Sequence, residues 1–502
     1  MYTYKEGCAF EKLSDIKGKK VTIMGLGLNG GGEAAVRFFV KYGASVTVTD
    51  MKDKAALSPT LERLSEFESR ITYVLGRHRL QDFSDAYCVI KNPGVKIEGN
   101  KYLAKAKNIE TDISIFLHFS PSPIIAVTGS KGKSSTVSAI HYGLKKAGFN
   151  AFLGGNITVS PLTFLEETQK STPVVLELSS WQLSDLRGRK ALKPFISLIT
   201  KIVPDHQNWY SGMEDYVADK RLIYAEQDEN DFTIVDYDSD GECPKPKNAS
   251  SWGNLFASET HGKVLGYSRN LPQKKFHGVW EDFSSGHFEG KLFLEGMEKP
   301  ITILKELSVP GRHMRANILN AALVMYLMKV EPEKIMRILS EWQGLEHRLQ
   351  YFHTYKNVKF YNDSCATVPE AAVEALSAFE KNVIMVSGGT DKALSFSAMA
   401  AAFSKGGKNP SPKALFLLSG TGTDKLILEL EKNHVEYKGP FENLETLLSS
   451  LKKYIDSYST DGDVVVFSPG ATSFGLFSNE FDRGKKFMDG VKTIFLKDDF
   501  PS

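Results

Sequence analysis

An octapeptide rich in glycine, lysine and serine, residues 128–135 with the sequence TGSKGKSS, constrains this chain more than any other segment. The apolar run 123–127 precedes it and predicts a buried strand, and residues 136–147 place apolar side chains at helical spacing. A strand, a glycine-rich loop and a helix form a cradle for phosphate, because backbone N–H groups and the helix N-terminus point at the anion. The segment therefore predicts use of ATP, with Lys133 on the β- and γ-phosphates and Ser134 on Mg²⁺.

The loop is shorter than the common phosphate-binding pattern G-x-x-x-x-G-K-[ST]. That pattern requires glycine at position 127, where this chain has Val127, and the first glycine of the loop is Gly129. A surface turn is the alternative, but the flanking strand and helix favour phosphate binding. The predicted ATP contacts in this loop are Gly129, Ser130, Lys131, Gly132, Lys133, Ser134 and Ser135.

Length and composition limit the classes of protein that need to be considered. The chain has 502 residues, which suggests about three domains of ~150 residues each. Its net charge is +2 without a block of like charges, so we expect no nucleic-acid partner. Its four cysteines lack metal or disulfide spacing, and no segment has the ~20 apolar residues of a membrane span. The first residues lack a secretory signal core, so we expect a cytoplasmic protein with reduced thiols.

Alternating strand and helix signals predict an α/β protein. Strands at 20–24 and 44–50 enclose a helix at 33–42, which is the βαβ unit of a doubly wound sheet. A second α/β region covers residues 123–344, and within it the turn-rich stretch 230–305 predicts a β-rich insertion or a sheet edge. A third region begins near position 345, and its apolar runs predict buried parallel strands at 358–361, 383–387, 414–418 and 463–467.

A second glycine-rich loop follows the first predicted strand. Residues 25–30 read GLGLNG and fit G-x-G-x-x-G, and Asp50 lies 20 residues beyond Gly30 at the end of the next strand. This spacing is typical of dinucleotide sites, in which a pyrophosphate sits on a helix N-terminus and an acid lies near a ribose. A nicotinamide cofactor and a UDP-sugar both carry a pyrophosphate, so the ligand stays open. A tight turn that only packs helix on strand is the alternative.

Polar side chains follow two further strands. Glu177 ends the apolar run 174–177 and is a candidate Mg²⁺ ligand, with a solvated glutamate as an equally good alternative. His206 follows the run 195–203, and a lone histidine of this kind is more often structural than metal-binding. Lys220 lies in a predicted helix, where the residues alone favour a solvated lysine.

The ordered set of motifs resembles the Mur ligases of peptidoglycan synthesis over nearly the whole chain, and it is most similar to the D-glutamate-adding members. Each of these motifs alone is a weak signal, but the ordered set is specific to this superfamily. The segments that carry the resemblance are Gly25–Gly27, Asn92–Gly94, Gly132–Ser134, Gly154–Ile157, Glu177–Gln182, Asp205–His206, Lys220, Gly344–Arg348, Asn362–Ser364 and Ser468–Ser473.

The resemblance implies three α/β domains and a ligase. A Rossmann-like UDP-binding domain would cover residues 1–117, a central P-loop ATPase-like domain 118–344, and a Rossmann-like amino-acid-binding domain 345–502. The implied reaction joins D-glutamate to UDP-N-acetylmuramoyl-L-alanine through an acyl phosphate, with ATP and two Mg²⁺ ions. We expect a monomer that acts on small molecules.

The resemblance also implies a role for individual residues. Lys133, His206 and Lys220 would be catalytic, with Lys220 carbamylated. The expected metal ligands are Ser134, Glu177, His206 and Lys220. Further ATP contacts would come from Asn317, Arg348 and Asp363. The UDP substrate would contact Gly27, Asn29, Asp50, Gly94, Asn156, Ser179 and Gln182, and the incoming amino acid would contact Cys365, Ser473 and Glu480.

Three positions depart from the pattern of the D-glutamate-adding members. Cys365 stands where those members usually carry a lysine, Glu480 where they often have phenylalanine, and Met314 where asparagine is usual. A thiol carries no positive charge in either protonation state, so Lys392 and Arg483 are the candidates that could supply it.

These departures leave alternative functions open. An L-glutamate-adding variant or a folylpolyglutamate-type ligase would retain the same chemistry, although folate relatives lack the first domain. A non-catalytic nucleotide-binding regulator would not need Lys133, Glu177, His206 and Lys220 together. A hydride-transfer enzyme would leave the P-loop unexplained.

Overall fold

The computed structural model describes residues 2–496. The ranges outside the description are 158, 207–208, 239–242, 271–275, 380–381, 393, 405–410 and 497–502, together with residue 1 and the side chain of His313. Within the described residues the strands form three sheets of five, nine and six strands.

The first sheet is parallel throughout and has the order β3-β2-β1-β4-β5. Its strands are β1 Lys20–Met24, β2 Ser45–Asp50, β3 Ile71–Leu75, β4 Cys88–Lys91 and β5 Ile109–Glu110. Its helices are α1 Gly31–Lys41, α2 Ser58–Arg63, α3 Leu80–Ser84 and α4 Asp112–Phe119. The order reverses between β1 and β4, so their carboxyl ends frame the crevice in which such sheets bind ligands.

The second sheet has the order β14-β13-β12-β11-β10-β9-β6-β8-β7. Its strands are β6 Ile124–Thr128, β7 Phe152–Gly155, β8 Val174–Glu177, β9 Ile196–Ile199, β10 Phe232–Asp236, β11 Lys263–Ser268, β12 Gly278–Asp282, β13 Glu289–Phe293 and β14 Ile301–Leu304. The helices here are α5 Lys133–Ala147, α6 Ser180–Ser184, α7 Met213–Lys220, α8 Trp252–Glu259, α9 Arg312–Leu327 and α10 Pro332–Ser340. Strands β12 to β14 are antiparallel, as expected for a β-rich sheet edge in residues 230–305.

The third sheet has the order β15-β16-β20-β17-β18-β19, and only the pair β15–β16 among its described strands is antiparallel. Its strands are β15 Gln350–Tyr355, β16 Val358–Asn362, β17 Val383–Ser387, β18 Ala414–Leu418, β19 Lys438–Phe441 and β20 Val464–Phe467. Its helices are α11 Pro369–Ser377, α12 Ser397–Phe403, α13 Thr421–Lys432, α14 Leu444–Tyr458 and α15 Glu480–Ile494. The four strands predicted from apolar runs are confirmed.

The chain divides into two compact units. The first comprises residues 1–305 and 316–339 and contains the first two sheets, and the second comprises residues 306–315 and 340–502. The predicted α/β fold class is confirmed, because continuous apolar runs form parallel strands that are buried on both faces. The predicted domain boundaries at 117 and 344 stay predictions. Among the described helices, none is long and apolar enough to cross a membrane.

Candidate active site

The glycine-rich loop between β6 and α5 is held from one side by the segment after β9. The N–H groups of Ser130 and Lys131 donate to the carbonyl of Lys201, and the Thr200 hydroxyl donates to the carbonyls of Thr128 and Lys131. Helix α5 begins directly after the loop at Lys133. The loop is therefore fixed at the N-terminus of a 15-residue helix, where a phosphate is favoured.

Two lysines converge on one carbonyl of this loop. Lys133 Nζ donates to Gly129 O at 3.0 Å, and Lys220 Nζ donates to the same oxygen at 2.8 Å. Lys220 is only 2% exposed, so the prediction of a solvated lysine from the residues alone is wrong. Burial, together with the charge of Lys133, lowers the pKa of Lys220 to about 7, against the opposing carboxylates of Asp205, Asp219 and Glu177.

Glu177 lies at the carboxyl end of β8 beside the same edge of the sheet. It is 1% exposed, which excludes the solvated glutamate that the residues alone allowed. Its Oε1 accepts a hydrogen bond from Asn156 Nδ2 at 2.9 Å, while Oε2 is buried without a hydrogen-bond partner among the described residues. A buried carboxylate oxygen in this state fits a bound cation.

The described residues contain no group of three or more His, Cys, Asp or Glu side chains that could hold a metal by themselves. A Mg²⁺ ion beside Glu177 would therefore need further ligands that do not belong to such a group. Oxygen ligands are the ones that Mg²⁺ prefers.

His206 lies in the loop after β9 with its backbone in the left-handed region, φ 51°. Asp205 Oδ1 accepts the His206 N–H at 2.9 Å, and the imidazole ring lies 4.8 Å from the ring of Trp181. Trp181 belongs to α6, which follows Glu177 closely in sequence. The histidine is therefore placed by aromatic contact at the same edge of the sheet as Glu177.

Asn317 on α9 lies directly over the P-loop. A Cβ added to Gly132 would come within 2.5 Å of Asn317 Oδ1. Gly132 also adopts φ +93°, a conformation that side chains other than glycine rarely take. The structure thus places the predicted ATP contact Asn317 next to the loop glycine.

Replacing Gly132 by alanine tests this arrangement. We expect the KM for ATP to rise at least about tenfold, because the left-handed conformation costs ~1–2 kcal/mol and the loop must also move away from Asn317. Gly148→Ala is the matched control, since Gly148 ends the same helix at φ +105° with no atom within 4 Å of the added Cβ. Equal KM values for ATP in the two variants would contradict the assignment.

The first sheet brings two loops together at its reversal point, where a second ligand site is predicted. Gly25 and Asn92 follow β1 and β4, and a Cβ on Gly25 would lie 2.9 Å from the Asn92 Cβ, so the two loops touch. Asn92 Oδ1 accepts the Gly94 N–H at 3.0 Å. Asp50 accepts from the backbone N–H of Gly27 and of Lys52 through its two oxygens. Asp50 therefore orders the glycine-rich loop.

The other residues predicted to contact the UDP substrate lie at the start of α6 and in the glycine-rich loop 25–30. Ser179 is the N-cap of α6 and forms a capping box with Gln182, which is buried. This reciprocal pair fixes the first turn of the short helix. Asn29 is exposed in the loop that precedes α1.

The second unit contains the residues predicted to contact the amino acid and part of ATP. Asp363 accepts hydrogen bonds from Leu349 N–H and the Ser468 hydroxyl, and burial raises its pKa to about 7. Ser473 is buried, Arg348 is exposed, and Glu480 is half-buried at the start of α15. Their assignments to ATP and to the amino acid stay predictions.

Burial raises the pKa of the Cys365 thiol to about 11, so the thiol is neutral at neutral pH. Arg483 is buried and donates to the hydroxyl and carbonyl of Ser364 and to the carbonyl of Ala471. Lys392 is exposed. Two cations are expected to replace the missing lysine. Arg483 holds the loops that carry Cys365 and Ser473 by hydrogen bonds, and Lys392 is exposed to solvent.

Residues that sequence reasoning missed hold the site together. Thr200 bonds two P-loop carbonyls, and Tyr216 places its hydroxyl 3.0 Å from Ser130 Oγ and its ring 4.5 Å from Lys220 Nζ. A threonine at a strand end and a tyrosine four residues before a lysine are too common to signal a site. Their roles depend on contacts between distant segments.

Comparison with known proteins finds matches to one family. The family profile "Mur ligase middle domain" matches residues 127–325, and "Mur ligase MurD-like, N-terminal domain" matches residues 19–114. A UDP-N-acetylmuramoylalanine–D-glutamate ligase from Treponema pallidum is 40% identical over 96% of this chain and 98% of its own length. A protein of the same name from Borreliella burgdorferi is 38% identical over 96% of this chain and 99% of its own.

Solved structures share the fold at low sequence identity. The MurF ligase of Thermotoga maritima, solved in complex with ADP, has a TM-score of 0.52 at 15% identity and 98% coverage of both chains. UDP-N-acetylmuramate–alanine ligase MurC of the same organism has a TM-score of 0.53 at 17% identity, covering 95% of this chain and 99% of its own. Together with the profile matches and the relatives at 38–40% identity, this fold places the chain in the Mur ligase family.

Proposed function

We propose that this protein is an ATP-dependent ligase that adds D-glutamate to UDP-N-acetylmuramoyl-L-alanine in the synthesis of peptidoglycan precursors. The observation that carries the proposal is the convergence of Lys133 and Lys220 on Gly129 O, at the sheet edge that also holds the unpartnered oxygen of Glu177. The names of the relatives that match almost end to end support the choice of substrates.

The first step brings two anions together. A substrate carboxylate oxygen attacks the γ-phosphorus of ATP, the bond to the β-phosphate oxygen breaks, and ADP leaves. At ~4 Å each pair of unit charges repels by about 4 kcal/mol at an effective dielectric near 20. Lys133, at the N-terminus of α5, offsets this repulsion and stabilises the phosphoryl group in transfer.

We assign Mg²⁺ ligation to Ser134, Glu177, His206 and carbamylated Lys220. When bound, the ions neutralise the phosphate charge and polarise the transferring group. Lys220 contributes to this site only as an anion, since its ammonium would repel both the metal and Lys133. The low pKa of its amine, about 7, favours the neutral form that combines with CO₂.

The second step forms the amide. The unprotonated amine of glutamate attacks the acyl carbon of the acyl phosphate, and the tetrahedral intermediate loses inorganic phosphate with one former carboxylate oxygen. The amine proton must leave in this step, and we assign its uptake to His206 or a neighbouring group. Exclusion of water protects the acyl phosphate from hydrolysis.

The acceptor glutamate requires a positive charge opposite its side-chain carboxylate. Cys365 is neutral, so we assign the positive charge of the glutamate site to exposed Lys392, with Ser473 as a second carboxylate contact. Buried Arg483 orders the loops that carry Cys365 and Ser473. Glu480 must then point away from the glutamate carboxylate. We also propose a monomer acting in the cytoplasm, where ATP is available.

Release of phosphate from ATP and Mg²⁺ tests the proposal. The reactions contain UDP-N-acetylmuramoyl-L-alanine with D-glutamate, with L-glutamate or with no amino acid. We expect release with D-glutamate only. Release with L-glutamate only would retain the ligase chemistry and overturn the acceptor, and the absence of release in every reaction would overturn the ligase itself.

A further inference from the structure

A buried ion pair connects the first two sheets away from the groups that react. Lys91, the last residue of β4, lies with its Nζ 2.9 Å from Oδ2 of Asp185, the residue that ends α6. Both side chains are almost fully buried. A buried pair of this kind is costly to desolvate, and the removal of one partner leaves an uncompensated charge.

The same ammonium holds the loop formed by Asn92, Pro93 and Gly94, called the N-P-G loop below. Lys91 Nζ donates to the carbonyls of Asn92 and Val95 at 3.1 and 2.9 Å, so it closes the loop from Asn92 to Val95 around Gly94. Asn92 Oδ1 in turn accepts the Gly94 N–H. The shape of this loop is therefore set by a cation whose counter-charge comes from the second sheet.

The segment before β1 completes the connection. Tyr4 is buried, its hydroxyl donates to Asp185 Oδ1 at 2.8 Å, and its N–H donates to the carbonyl of Arg187 at 2.9 Å. The Arg189 guanidinium lies 4.1 Å from the Tyr4 ring. Both oxygens of Asp185 are thus engaged, one by Tyr4 and the other by Lys91.

We propose that Tyr4, Asp185 and Lys91 are positioning residues, which set the N-P-G loop against α6 and thereby determine the affinity for the UDP substrate. The inference rests on the proposed function, because it takes the N-P-G loop and the Ser179–Gln182 turn of α6 as two walls of the UDP-substrate site. Asp185 ends the helix that begins at Ser179, so a shift of the pair moves both walls.

The chain of contacts Tyr4–Asp185–Lys91, called the relay below, predicts a specific kinetic effect. In Lys91→Met the loop carbonyls lose their donor and Asp185 loses its counter-charge, so we expect the KM for UDP-N-acetylmuramoyl-L-alanine to rise about tenfold or more. We expect kcat to stay within about twofold and the KM for ATP to stay unchanged, because the P-loop does not touch the pair. Lys91→Arg retains the charge and should recover part of the affinity.

Tyr4→Phe is the milder variant, and it tests the role of the relay in substrate affinity if Lys91→Met does not fold. It removes only the hydroxyl that donates to Asp185 and retains the ring under Arg189, so a rise of about threefold in the same KM is expected. Glu6→Gln is the matched control, since Glu6 lies in the same segment and its ion pair with Lys190 is exposed. The control should leave every kinetic constant unchanged.

Calorimetric binding of UDP-N-acetylmuramoyl-L-alanine to the full chain separates this inference from the proposed function. If the protein without substitutions shows no turnover, the ligase proposal is overturned. The Kd of each variant for UDP-N-acetylmuramoyl-L-alanine, compared with that of the protein without substitutions, would still test the relay. Weaker binding in Lys91→Met and Tyr4→Phe supports the relay. A lower melting temperature with unchanged Kd and KM in both variants would show a purely structural role and overturn it.

Discussion

Lys133→Ala is expected to reduce ADP formation about 10³-fold. The lysine begins α5, and its ammonium already lies against the P-loop carbonyls of Gly129 and Ser130. Its removal takes away the charge that offsets repulsion between the carboxylate and the γ-phosphate, and a single preorganised donor contributes 10²–10³ or more at such sites. The measurement is the rate of ADP formation with all three substrates at saturation.

Lys145→Ala is the control for this variant. Lys145 lies in the last turn of the same helix and is exposed, so the variant removes a lysine charge from α5 without touching the loop. It should form ADP at the normal rate. A normal rate in Lys133→Ala itself would exclude this loop as the site of phosphoryl transfer.

Lys220→Ala is expected to reduce turnover to a similar degree while UDP-substrate binding stays close to normal. The side chain is buried against Gly129 O, which is part of the phosphate loop and not of the UDP site. Added bicarbonate should not restore turnover, because the alanine side chain has no amine to accept CO₂. Unimpaired turnover would overturn the carbamate role.

The carbamate can also be observed directly. Protein equilibrated with ¹³C-bicarbonate should show a carbamate carbon signal that is absent in Lys220→Ala. The signal should be lost as the pH falls through about 7, because protonation of the Lys220 amine removes the nucleophile. A signal of equal size in the variant would assign the carbamate to another lysine.

Sequence patterns were sufficient for the strands and the phosphate loop. The runs 124–127 and 464–467 are apolar throughout and form strands buried on both faces, so their pattern indicates buried strands. Helix α1 begins at Gly31, two residues before the predicted start at Glu33, because Gly30 serves as its N-cap. Strand β19, Lys438–Phe441, was missed because its sequence KGPF lacks an apolar alternation.

Burial was the property that local sequence could not supply. The residues alone favour a solvated Lys220 and leave a solvated Glu177 as an equally good alternative to a Mg²⁺ ligand, since charged residues on helices and at strand ends are usually solvated. Lys220 is buried where α7 meets the P-loop, and it bonds to Gly129, which lies 91 residues earlier in the chain. Glu177 is buried because it ends β8, a strand that lies between β6 and β7 in the second sheet. The burial of Lys91 is likewise not visible in local sequence, because its partner Asp185 ends α6, a helix of the second α/β region.

The fate of the carboxylate oxygens tests the proposed reaction most directly. UDP-N-acetylmuramoyl-L-alanine labelled with ¹⁸O in both carboxylate oxygens is incubated with ATP, Mg²⁺ and D-glutamate, and the products are analysed by mass spectrometry. Attack on the γ-phosphorus through an acyl phosphate predicts one ¹⁸O in the released phosphate and one in the new amide. Amide formation with unlabelled phosphate would contradict the acyl-phosphate route.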